Sequence, residues 1–70
     1  MNEIEKLRVL IPLWIEHNDE HAEEYRCWAE GAGEASADLL DAVDAMKMVN
    51  QALAAVLEKL DRSTVRVRSN

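Results

Sequence analysis

The sequence predicts an all-α protein: an antiparallel two-helix hairpin that dimerises into a four-helix bundle. Three observations carry this expectation. Apolar residues recur at intervals of three and four on both sides of a central break, the break is the short segment Gly31-Ala32-Gly33, and each half holds more apolar residues than one partner helix would cover.

The first helix is expected over about residues 2–30. Ile4, Leu7, Ile11, Trp14, Tyr25 and Trp28 follow the spacing of a heptad seam. Asn18 and His21 continue that rhythm through the middle, so two polar side chains are expected inside. A rotation of about 100° per residue gathers Arg8, Pro12, Glu16, Asp19, Glu23, Arg26 and Glu30 on the opposite, solvated face. Pro12 lacks an amide donor and crowds the preceding turn, which predicts a kink there.

The turn is expected at 31–33, where glycine can take the left-handed conformation that closes a helix. The second helix, about 34–61, carries Leu39, Val43, Met46, Leu53, Leu57 and Leu60 at the same spacing, with Asn50 at its polar seam position. The alanines between them favour helix. Asp38, Asp41 and Asp44 lie toward its positive end and Lys59 toward the other, as the helix dipole prefers. So short a turn makes the helices antiparallel. It sets Leu39 near Tyr25 and Trp28, Met46 near His21, Leu53 near Trp14, and Asn50 within reach of Asn18, in a hairpin about 40 Å long. Together these elements form one unit over 1–62, and residues 63–70 read as a basic flexible tail.

The apolar arc of the first helix takes in Ile4, Leu7, Leu10, Ile11 and Ile15. It spans roughly 160°, against about 100° for the stripe a single partner covers. Val49 and Val56 repeat the excess on the second helix. Two hairpins packed face to face would bury both surpluses. A chain of 70 residues also needs help, because a domain this small hides only about 60% of its unfolded surface. Cys27 is alone and cannot form an internal disulfide, and no spacing suggests a zinc knuckle, so association is the remaining support. A formal charge of −6 argues against nucleic acid. No apolar run approaches the roughly 20 residues of a membrane span, and no leader-like segment opens the chain. A soluble, reducing, cytoplasmic setting is expected, with a homo-oligomer, most simply a dimer, as the partner.

The stretch from Trp14 to Trp28 holds both histidines, the cysteine, both tryptophans and the tyrosine. In one reading Asn18, His21 and Asn50 form a buried polar layer that sets register, with His17 at its edge and Ile11, Trp14, Tyr25, Trp28, Met46, Leu53 and Leu57 as core and interface. In the other, His17, His21 and Glu24 share a helical face and hold a divalent transition metal such as zinc or nickel, completed by a second chain. The HxxxH spacing is weak by itself, since Asn18 stands where zinc proteases place the catalytic glutamate. A haem between paired His21 imidazoles would need a cavity that the tryptophans would fill. Cys27 is expected on the polar face beside Glu20, Glu23 and Glu24. No nucleophile is paired with a base and no glycine loop could cradle phosphate. The expectation is a non-enzymatic, self-associating interaction or accessory module without a cofactor; the alternative is a metal-binding or metal-sensing protein that uses histidines from two chains.

The segment IPLWIEHNDEHAEEYRCWAEGAG resembles a group of small, largely uncharacterised helical-hairpin proteins and C-terminal modules of anaerobic and metal-handling bacteria and archaea. Their pattern is P-H-W-x-x-H-N-x-x-H-x-x-x-[FY]-x-x-W-A. Trp14, His17, Asn18, His21, Tyr25, Trp28 and Ala29 match it over about a third of the chain, while Leu13 stands where the pattern has a further histidine. The resemblance implies a metal-related role with the histidines as ligands.

Overall fold

The computed structural model describes the backbone of residues 2–69 and the side chains of residues 2–62. The basic tail expected at 63–70 therefore falls outside the described side chains. Two helices pack side by side: α1, Glu3–Ala29, and α2, Ser36–Ser69, joined by a 3-10 turn at Gly33–Ala35.

Asn2 starts α1. Its side-chain oxygen accepts a hydrogen bond of 2.9 Å from the Glu5 amide, satisfying one of the donors a helix leaves open at its first turn. Glu3 and Glu5 add negative charge at the same end. The helix runs through Pro12 without a break. At its other end the ladder tightens, with Glu30, Gly31 and Ala32 amides bonding the carbonyls of Cys27, Trp28 and Ala29. These shorter-range bonds occupy the last carbonyls of the helix. Gly33, not Gly31, then takes the left-handed conformation, at φ 60°. A side chain there would be strained by its own backbone, although neither glycine is crowded by neighbours.

Contact between the helices is built on small residues as much as large ones. Ile11, Ala22 and Ala29 of α1 and Val43 of α2 are buried. Leu7, Ile15, Asn18, Tyr25, Leu39, Met46, Asn50, Leu53 and Leu57 are half-buried around them. The line of contact within the hairpin differs from the expected seam. The line of α1 that meets α2 passes through Ile11, Asn18, Ala22 and Ala29, and Trp14, His21 and Trp28 stand roughly 60–100° to one side of it. Of the residues assigned to core and interface only Ile11 is enclosed, at 1% exposure, while Trp14 keeps 43% and Trp28 71% of its surface. The reason is geometric. Helices pack with axes about 8–10 Å apart, a gap that alanine keeps open and an indole would force wider.

The molecule measures 57 × 18 × 13 Å, so in its thinnest direction it is one helix deep, given a helix diameter of about 10–12 Å with side chains. Near its open end Arg8 Nε donates to Asp61 Oδ1 at 2.9 Å. Both groups are well exposed, and such a pair stabilises little in water. Among the described residues no helix is long and apolar enough to cross a membrane.

Ile11→Ala is expected to cost about 2–5 kcal/mol, and Ala22→Leu, which must push α2 away, about 1–3 kcal/mol. Chemical denaturation reads both, and an unchanged midpoint for Ala22→Leu would show that this face does not meet α2.

Candidate functional site

Three side chains tie the middle of the hairpin together. Asn18 Nδ2 donates to Asn50 Oδ1 at 3.0 Å. Asn50 Nδ2 in turn donates to Asp19 Oδ1 at 2.7 Å and to the Ile15 carbonyl at 3.3 Å. One side chain of α2 thus touches three residues within about one turn of α1, and an axial slip by one turn would break all three bonds. Rotation alone assigns Asp19 to the solvated face. It accepts from Asn50 because a residue next to a seam asparagine lies at the flank of the contact, and the signal available in the sequence was that adjacency.

His21 does not join this group. Its Nε2 lies 3.0 Å from Nε2 of His17, with the two rings edge to face at a centroid separation of 4.6 Å. Tyr25 stacks on the other side of His21, at 6.1 Å between centroids and 23° between planes. Both imidazoles follow from one turn of helix, since side chains four apart stand over one another. The expected layer of Asn18, His21 and Asn50 thus separates into an asparagine crossing between the helices and a histidine pair on the flank of α1. Neither part is buried, since no polar residue is fully enclosed among the described ones.

Glu24 is also placed differently from the expected ligand set. Its Oε2 lies 3.9 Å from Nδ1 of His21, on the far side of the ring from the two facing Nε2 atoms. A cation held by both Nε2 atoms would not meet Glu24. Among the described residues no three of His, Cys, Asp and Glu converge within one chain to hold a metal. Cys27 is exposed and free, in a groove with Glu23, Arg26 and Glu30, and Arg26 pairs with Glu23.

The histidine pair lies within a larger feature. Leu10, Trp14 and Trp28 of α1 and Val49 and Val56 of α2 are all exposed. On each helix these residues are turned about a quarter revolution from the contact line in the same rotational sense. Because the helices run in opposite directions, that places both sets on the same side of the hairpin. The result is one broad apolar face with His17 and His21 at its centre. The reverse side carries Arg8, Glu16, Asp19, Glu23 and Arg26 from α1 and Asp44, Lys47, Gln51 and Glu58 from α2. Leu40 and Met48 are exposed there too, apart from the apolar face.

A family model described as a domain of unknown function, DUF8180, matches residues 7–60. The chain belongs to this family. The DUF8180 match takes in the histidine pair, the asparagine crossing, the turn and the apolar face of both helices. No curated protein and no solved structure matches the chain.

A double-mutant cycle on Asn18→Ala and Asn50→Ala is expected to give a coupling of about 0.5–1.5 kcal/mol, the net value of a hydrogen bond between partly solvated groups. Unfolding free energies of the four variants measure it, and strict additivity would show that the crossing contributes nothing to stability.

Proposed function

We propose that this protein is a self-associating helical module, two copies of which pack their apolar faces together into a four-helix bundle. The observation that carries this is the uncovered face of Leu10, Trp14, Trp28, Val49 and Val56, on a molecule only 13 Å thick. Stable domains place at least two layers of secondary structure around one core, and this hairpin is a single layer.

Its surface supports the same reading. The chain exposes 5486 Å², whereas a folded monomer of its mass would expose about 4,400 Å². The excess, about 1,100 Å², reflects the elongated, single-layer shape of the hairpin. An elongated shape and an unmet need for a second layer are the same property here, because a second rod laid along the first removes the excess. The two-sided distribution supplies the orientation, with charge on the reverse side keeping the assembly closed at two hairpins. The apolar face suits a role of association, since contiguous exposed apolar surface marks a site of contact with another protein.

Sedimentation at micromolar concentration should give twice the 7.9 kDa chain mass. Val49→Glu and Trp28→Glu, which place charge on the apolar face without touching the contact between α1 and α2, should shift the protein to monomer while leaving the chain helical by circular dichroism. A single chain mass for the wild type at several hundred micromolar would overturn the proposal.

A further inference from the structure

We propose that the two copies meet about a two-fold axis at the level of Asp19 and Val49, with α1 antiparallel to the partner's α1, and that the His17–His21 pairs of both copies form one four-imidazole site for a zinc ion. The site rests on the self-association proposed above and is incomplete without the second copy.

The position of the axis follows from the pattern of residues along each helix. On α1, His17 and His21 lie two residues on either side of Asp19, and Leu10 and Trp28 lie nine on either side. An antiparallel copy centred there sets His17 against the partner's His21 and Leu10 against the partner's Trp28. On α2 the corresponding centre is Val49: Met46 and Ala52 lie three residues on either side, Ala45 and Leu53 four, Ala42 and Val56 seven. Each of these pairs sets an alanine against a larger side chain, as interdigitated layers require. The two centres were found on separate helices, yet the structure puts them at one level, because Asn50, next to Val49, donates to Asp19 at 2.7 Å. One axis perpendicular to the rods therefore satisfies both helices.

The histidine pair is already spaced as half of a coordination shell. Zinc binds imidazole nitrogen at about 2.0–2.1 Å in a tetrahedral set, which separates neighbouring ligand atoms by about 3.4 Å. The two Nε2 atoms stand 3.0 Å apart, within a few tenths of that distance. Without metal, one of them donates to the other. With metal, both Nε2 atoms must be free of protons, so each ring carries its proton on Nδ1. For His21 that proton faces the Glu24 carboxylate, 3.9 Å away, the kind of outer partner that orients a metal-bound imidazole. Zinc suits four neutral nitrogens in a tetrahedron, whereas nickel and copper favour square or tetragonal sets. A formal charge of −6 on each chain concentrates cations around the site.

The test uses the full chain, purified without a nickel column and stripped with chelator, and titrated with zinc chloride alone. Binding should saturate at one zinc per two chains and raise Tm by several degrees. His17→Ala and His21→Ala should each abolish both effects while remaining dimeric. Glu24→Gln should keep the stoichiometry and lose about 10- to 100-fold in affinity. Val49→Cys, in a Cys27→Ser background, should form a disulfide with its own copy on mild oxidation, and Val56→Cys in the same background should not. A dimer that binds no zinc, binds one per chain, or still binds it in either histidine variant overturns this inference and leaves self-association standing. A chain that is monomeric both with zinc and without it overturns both.

Discussion

The axial level at which α1 and α2 cross decides every other feature of this molecule. Two helices in contact along alanines can slide, because a row of small side chains offers little to lock into. Asn50 removes that freedom. It receives from Asn18 and donates to Asp19 and to the Ile15 carbonyl, and no shifted register offers the same three partners. A polar side chain in a seam costs some stability relative to an apolar one and in return favours a single alignment. The turn at Gly33 limits the choice of level, and the asparagine crossing selects one. With that level set, the exposed residues of the two helices form one face whose two symmetric patterns share a centre.

A second constraint is depth. One layer of helix cannot surround a core, and only Ile11, Ala22, Ala29 and Val43 are enclosed by the hairpin. The heptad seam read from the sequence and the contact line seen in the structure differ by an angle that this constraint explains. Ile11 and Asn18 lie on both lines. Trp14, His21 and Trp28 lie only on the first. In a four-helix bundle each helix points its core residues along the diagonal, between its neighbour in the same hairpin and its neighbour in the other. A seam displaced from the hairpin contact toward the uncovered face has that direction. In the proposed bundle, heptad spacing would therefore describe two hairpins together and not one alone.

Much of the fold was therefore legible in the sequence, and the parts that were not have physical causes. Apolar periodicity marked both helices and the glycine segment marked the turn, because these depend on neighbours within a few residues. The crossing of Asn18 and Asn50 was accessible as well, since a short antiparallel connection leaves one register to count from. Which residues of the seam are enclosed was not accessible, because periodicity specifies a direction and not what stands in that direction. Trp14 and Trp28 follow the apolar rhythm and remain exposed for this reason. Glycine chemistry pointed to the turn but not to which glycine, as Gly31 and Gly33 are equally free of crowding and only the path of the backbone distinguishes them. At the candidate site, spacing brought His17 and His21 together correctly. It misplaced Glu24, since residues on one helical face can still approach opposite edges of the same ring.

The separation of the histidines from the asparagines matters for what the face can do. Had His21 been part of the crossing, its nitrogens would have been committed to bonds between α1 and α2, and any cation would have competed with the hairpin for them. Asn18 and Asn50 instead satisfy one another and Asp19, so register does not depend on the imidazoles. His17 and His21 hold each other through atoms four residues apart on a single helix, a contact that can open without disturbing α2. Structure and chemistry are thereby assigned to different polar groups: an amide crossing that keeps one alignment, and a pair of imidazoles, backed by Tyr25 on one side and bordered by Trp14 and Trp28 along the helix, whose Nε2 atoms are paired with each other on the uncovered face.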